Sequence, residues 1–188
     1  MNNLTMKLCQ HSKYIFTVDS FWSIQKCNEF IQQSESIGYE PALVQTESGQ
    51  KRVEGVRNNQ RILFTDHDLA NDIWKTLEEF TPHQIGNSYS IGLNEMFRFY
   101  KYEPGQEFKK HRDQSYIRNE TESSFYTFMI YLNDTFEGGE TTFSNVKIVP
   151  KKGSALIFFH DIEHEGSKII SGQKYVLRSD IMYKLKEE

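Results

Sequence analysis

The sequence predicts an α+β fold with a β-sandwich core. Two helical patterns open the chain, a series of short aromatic-rich strands follows, and the change of character falls once, near Pro82. The first pattern follows Asp19-Ser20, a capping pair, and sets Phe21, Ile24, Cys27, Phe30 and Ile31 at helical spacing before Gly38 stops it. The second starts at Asp66, carries Leu69, Ile73, Leu77 and Phe80 on one stripe, and ends at Pro82. Short extended pieces, Tyr14–Val18 and Arg61–Phe64, precede the two helices. Beyond Pro82, Ile91–Tyr102, Glu107–His111, Phe125–Asn133, Thr141–Phe143, Ser154–Phe159 and Lys174–Tyr183 read as strands, rich in branched and aromatic residues. Turn residues separate them, at Glu103-Pro104-Gly105, Glu137-Gly138-Gly139, Pro150–Gly153 and Ser171-Gly172. Strands in such number close into a sandwich or barrel, which leaves the helices to buttress one sheet from outside.

Length and composition agree with that architecture. At 188 residues the chain reads as one domain over 1–188, with a helical preface of about 1–82 and a core of about 83–188. With 22 basic residues against 26 acidic ones, the small net charge of −4 excludes a disordered polyelectrolyte. It also argues against an obligate nucleic-acid binder, whose affinity comes mainly from neutralising phosphates. Cys9 and Cys27 form neither a disulfide framework nor a zinc motif. No apolar run has the roughly 18–20 residues of a membrane span or the form of a signal peptide, so the expectation is a cytoplasmic protein without a membrane partner.

Three residues invite a metal. In His111-Arg112-Asp113 an imidazole and a carboxylate lie two apart, which in extended chain puts them on one side. His164 offers a second imidazole further along. Two His and one carboxylate on one face of an ion leave its other positions open, as non-haem Fe(II) oxygenases require. Lys174 opens the last strand ten residues after His164, with Arg178 on the same face. A buried cation near such a site suits a dicarboxylate co-substrate, one end of which chelates the iron while the other needs a charged partner. Edge charges on a solvated face are the plainer reading of this pair.

From Asn94 to Tyr183 the chain resembles the prolyl 4-hydroxylase-like branch of the Fe(II)/2-oxoglutarate-dependent dioxygenases. The matching pieces are Arg98–Tyr102, Pro104-Gly105-Gln106, His111–Asp113, Tyr131–Asp134, Glu137–Thr141, Pro150–Gly153, His164-Glu165-Gly166 and Gly172-Gln173-Lys174, all in the family's order. The resemblance implies a double-stranded β-helix (jelly-roll) core with N-terminal buttressing helices. It makes His111, Asp113 and His164 the iron ligands and Lys174 the partner of the distal carboxylate of 2-oxoglutarate. It places Tyr131 near that carboxylate and Tyr102 near the chelating end. Arg178 departs from the family pattern, because relatives often have a smaller or neutral residue there, and it stands as the alternative carboxylate partner. The implied cofactors are Fe(II), 2-oxoglutarate and O2, with ascorbate as an optional addition. The implied reaction is hydroxylation of an unactivated C–H coupled to decarboxylation of 2-oxoglutarate to succinate and CO2. The carboxylate ligand Asp113 argues for hydroxylation over halogenation. The implied substrate is a prolyl residue in a peptide or protein, or a small metabolite. A non-catalytic sensor or interaction module that retains metal and 2-oxoglutarate is the alternative.

Three further features carry expectations of their own. His160 has the parity of His164 and is a rival ligand. The polar run from Gln114 to Phe125, directly after the metal pair, is placed to act as a lid. The strip Arg57–Arg61 reads either as a solvated loop or as a substrate-contacting edge.

Overall fold

The computed structural model describes residues 5–46, 49–51 and 55–186. A ten-stranded antiparallel sheet forms one layer. Its central order is Ile15–Asp19, Ala155–Phe159, Glu122–Tyr131, Lys174–Leu185, Met96–Tyr102 and Gln60–Thr65. A four-stranded sheet forms the facing layer, in the order Phe108–His111, His164–Gly166, Thr141–Phe143 and Lys147–Ile148. This is the expected jelly roll.

Strand alternation divides the core into two parts. From the large sheet, Phe97, Phe99, Phe128, Ile130 and Leu177 face outward and pack with Cys27, Ala70, Ile73 and Leu77 of the two helices. Their neighbours Tyr100, Tyr102, Tyr131 and Val176 face inward and pack with Phe143 and Ile148 of the small sheet. Each central strand is therefore apolar on both faces, which is why these segments read as continuous hydrophobic runs. The inward face carries the phenols and charged groups that build the site.

The helices span Ile24–Ile37 and His67–Leu77, the second prolonged by a 3-10 turn, Glu78–Phe80. Asp66 caps the second as expected, its side chain accepting from the Leu69 N–H at 2.9 Å. The first is capped by Ser23, which accepts from Lys26 N–H at 3.1 Å, and not by Asp19-Ser20. Trp22 N–H is instead donated to Gly153 O at 2.9 Å, so the chain turns in to meet the sheet before the helix begins. Gly153 has φ +79°, and a Cβ there would run into the Trp22 carbonyl, so the Pro150–Gly153 turn needs glycine twice over.

Three expectations change. The N-terminal stretch is more than a helical preface, because Lys7–Ser12, Ile15–Asp19 and Gln60–Thr65 are strands of the large sheet. The single strand expected over Ile91–Tyr102 is two, Ser88–Leu93 and Met96–Tyr102, parted at Asn94, whose side chain accepts from Met96 N–H at 3.1 Å. The presumed lid is a pinned hairpin. Ile117 bridges Ser123, Ser124 N–H is donated to Tyr116 O at 2.9 Å, and Arg118 forms ion pairs with Glu95 and Glu122. Polarity at Asn119 is turn chemistry, its side chain accepting from the N–H groups of Thr121 and Glu122.

Candidate active site

His111 ends the strand Phe108–His111, and His164 opens the strand His164–Gly166 beside it, where the two residues are direct cross-strand partners. Asp113 follows two residues on, held by donation of its N–H to His160 O at 3.1 Å. The sheet thus brings His164, far along the sequence, against the His111–Asp113 pair. Their ligand atoms all lie within 4.8 Å of one another. His111 Nε2 is 3.6 Å from Asp113 Oδ1, and His164 Nε2 is 3.7 Å from Asp113 Oδ2.

The protonation pattern suits a cation. His111 Nδ1 lies 2.7 Å from Lys109 O and His164 Nδ1 lies 3.0 Å from Ile162 O. A carbonyl only accepts, so each Nδ1 carries the hydrogen and each Nε2 presents its lone pair to the centre of the group. Burial pushes the His164 imidazole down to about 4, with Asp113 opposing and His111 adding to the shift, so it is neutral at pH 7. Burial would raise the Asp113 carboxyl, but the Arg178 guanidinium and the two imidazoles outweigh it and hold it well below the usual range. Two imidazoles and one carboxylate, with their ligand atoms within 4.8 Å of one another, fit Fe(II).

A cavity of about 410 Å³, counted to its open mouth, is lined by this triad together with Thr127, Met129, Phe158, Val176 and Lys174. Lys174 is 3% exposed. Its Nζ donates to Gly139 O at 2.6 Å and lies 5.3 and 5.4 Å from the ring centroids of Tyr102 and Tyr131. Among the described residues no carboxylate forms an ion pair with it. Burial lowers its ammonium to about 7, against a small opposing pull from Glu140. Tyr131 Oη meets Thr141 Oγ1 at 2.7 Å beside it. The strand register sets Tyr102 opposite Lys174, and Tyr102 lines the same cavity as the triad.

Arg178 is engaged elsewhere. It lies 3.0 Å from Asp113 Oδ1 and 3.3 Å from Asp180 Oδ1, and it donates to Thr127 Oγ1 at 3.3 Å. Thr127 in turn donates to Asp113 Oδ2 at 2.5 Å. His160 does not join the triad. It is buried, 3.6 Å from Asp180, with neither ring nitrogen hydrogen-bonded. Sequence reasoning did not single out Thr127, Asp180 or Tyr100 as site residues. Strand parity could have found the first two, since Thr127 shares a face with Met129 and Asp180 shares one with Arg178.

Comparison with known proteins agrees with this geometry. Residues 97–179 match the model of the 2OG-Fe(II) oxygenase superfamily. Over that stretch the chain is similar to the superfamily's oxygenase domain. It is 25% identical over 181 residues to a putative prolyl 4-hydroxylase of Acanthamoeba polyphaga mimivirus, an alignment covering 86% of this chain and 71% of that protein. Among solved structures, a viral collagen prolyl hydroxylase from Paramecium Bursaria Chlorella virus-1 matches with a TM-score of 0.67 at 23% identity, covering 93% of this chain and 98% of the other. A Trichoplax adhaerens prolyl hydroxylase, solved with a hypoxia inducible factor peptide fragment, matches with a TM-score of 0.70 at 17% identity, covering 93% and 84%. As a 2OG-Fe(II) oxygenase the protein is a dioxygenase dependent on Fe(II), 2-oxoglutarate and O2. No helix among the described residues is long and apolar enough to cross a membrane.

The Lys174 ammonium gives this oxygenase a signed pH response. The protonated form attracts a dicarboxylate, and it is lost as pH rises through about 7. Where a co-substrate carboxylate docks on this ammonium, affinity for 2-oxoglutarate is expected to fall by up to about tenfold per pH unit above that point, with uptake of a proton on binding. Without the co-substrate the linkage runs the other way. Between about 7 and the ordinary value of 10.5, the unfolded chain binds the proton and the native one does not, so the contribution of this group to stability rises with pH. Calorimetric titration of 2-oxoglutarate across this range, in buffers of different ionisation enthalpy, measures both the affinity and the proton. A flat profile would mean Lys174 is charged throughout.

Proposed function

We propose that His111, Asp113 and His164 hold the iron of this oxygenase, that Lys174 receives the distal carboxylate of 2-oxoglutarate, and that the prime substrate is a prolyl residue in a peptide or protein. The convergence of the three donors on one cavity with a buried, carboxylate-free lysine is the observation that carries the assignment. The iron, when bound, supplies hydroxylation of an unactivated C–H coupled to decarboxylation of 2-oxoglutarate to succinate and CO2. The chain's own residues do the rest. His111 and His164 keep their Nε2 lone pairs inward through the Nδ1–carbonyl bonds. Arg178 and Thr127 fix both oxygens of Asp113 and keep it ionised. Lys174, between the Tyr102 and Tyr131 rings, binds one end of the co-substrate in a dry pocket, where a charge-assisted bond is strongest. Met129, Phe158 and Val176 exclude water from the space between.

The prolyl substrate rests on the relatives, whose printed names are prolyl 4-hydroxylases and prolyl hydroxylases. Incubation with Fe(II), 2-oxoglutarate and a panel of proline-containing peptides, read by mass spectrometry, tests it. The expected product is a peptide heavier by one oxygen atom, formed in step with succinate. Succinate without any modified peptide, together with turnover of a small proline-free metabolite, would overturn the prolyl reading and leave the oxygenase intact.

A further inference from the structure

Outside the iron cavity a second cleft opens over the triad. It is lined by Arg57, Arg61, Arg98, Arg112 and Arg178, together with Tyr100 and Phe108. Among the described residues Asp113 supplies the only carboxylate in its walls. Three of the guanidiniums have carboxylate partners among the described residues. Arg178 and Arg98 share Asp180, and Arg112 lies 3.4 Å from Asp161.

Arg57 is different. It is 6% exposed, yet it forms no ion pair among the described residues, and its Nη2 is buried without a hydrogen-bond partner. Asn59 orients it, donating through Nδ2 to Gln60 O at 2.9 Å and accepting from Arg57 Nε at 2.6 Å. The guanidinium is fixed against the Tyr100 and Phe108 rings, 4.4 Å from each centroid. Phe108 itself stacks on His111, with centroids 3.4 Å apart, so Arg57 sits one ring away from the triad. A buried guanidinium without an anion is costly to a fold, and a ligand that brings the anion removes the cost. Tyr100 reports the same field. Burial alone would raise its phenol, but Arg57, Arg178 and Arg98 together bring it below its ordinary value.

We infer that this outer cleft is a carboxylate-binding site, in which Arg57 receives a carboxylate carried by the prime substrate and so sets which C–H lies over the triad. A planar fork of N–H donors matches a carboxylate in two-pronged fashion. The net charge of −4 for the whole chain leaves this cleft as a local basic spot rather than a polyanion track. The assignment rests on the oxygenase reading above, and it deepens that reading by naming a chemical class of substrate. The carboxylate has two sources, a free α-carboxylate or an acidic side chain within a peptide.

Binding to the Zn(II)-loaded protein with 2-oxoglutarate present, where no turnover intervenes, separates these. The probes are N-acetyl amino acids with their amides, proline included, and the peptide pair acetyl-Glu-Pro-Gly-amide and acetyl-Gln-Pro-Gly-amide. The expected result is that at least one acid binds about tenfold or more tightly than its neutral twin, and that the preference collapses toward one in Arg57→Gln. A preference among the N-acetyl amino acids assigns the α-carboxylate, and one between the two peptides assigns the acidic side chain. The site is overturned if every acid and amide bind alike, a comparison that needs only the wild-type protein. It is also overturned if a preference survives intact in folded Arg57→Gln. Succinate formation by the wild-type Fe(II) enzyme, measured alongside, reports separately on the oxygenase reading.

Discussion

Asp113→Ala is expected to weaken Fe(II) binding by about a hundredfold or more and, in the same variant, to lower the stability of the metal-free protein. The first effect is the loss of the only carboxylate in the donor set, and even partners one step removed from a metal are worth about 10–100-fold in affinity. The second comes from Arg178. Its guanidinium is buried between Asp113 and Asp180, and removing one anion leaves that charge half-compensated. Breaking a buried pair on one side costs about 3–5 kcal/mol, and the remaining Asp180 contact places the expected loss at the lower end. Asp113→Asn keeps the shape and should show the same two losses, since it removes the charge that Arg178 needs. Anaerobic Fe(II) titration and urea denaturation measure them independently. A variant that loses iron without losing stability would mean that Arg178 does not depend on Asp113.

Lys174→Ala is expected to raise the requirement for 2-oxoglutarate by at least about thirtyfold, in keeping with about 2–5 kcal/mol for a buried charge partner. Arg178→Ala should leave 2-oxoglutarate affinity far less affected and instead weaken the metal. The two cations share a strand face four residues apart and differ in what surrounds them. Arg178 already faces two carboxylates, whereas Lys174 faces a carbonyl, two phenol rings and open cavity. Calorimetric titration of 2-oxoglutarate into the Zn(II) form of each variant gives the ranking. The reverse order would transfer the co-substrate role to Arg178.

Much of this was legible in the sequence, because its signals are local. Strand boundaries followed β-branched and aromatic runs closely at Thr141–Phe143 and Ala155–Phe159, and Asp66 announced its helix through the cap itself. The triad stood out because His111 and Asp113 are two apart in extended chain, and because the pieces of the family pattern follow in order. What stayed hidden depends on contacts across long separations. The competition between Lys174 and Arg178 is decided by Asp113 and Asp180; the Asp180 contact follows strand parity, but the one to Asp113 crosses between sheets and cannot be read from spacing alone. Ser23 supplies the cap in place of Asp19-Ser20 because the docking of Trp22 on Gly153 consumes the preceding residues. The hairpin at Asn119 looked like a lid because its polarity serves its own backbone and its anchor, Glu95, lies far back in the chain. Arg57 was noticed only as part of a polar strip. Its burial against Tyr100 and Phe108 is a tertiary fact.

His111, Asp113 and His164 are expected to make this fold an iron-dependent consumer of 2-oxoglutarate. Mass-spectrometric measurement of succinate, in air with Fe(II) and 2-oxoglutarate, tests it in the wild-type protein and in His164→Ala. The expected result is succinate that requires both Fe(II) and O2 in the wild type and falls to background in the variant. Equal succinate from folded His164→Ala, or none from iron-loaded wild type with any candidate substrate, would contradict it.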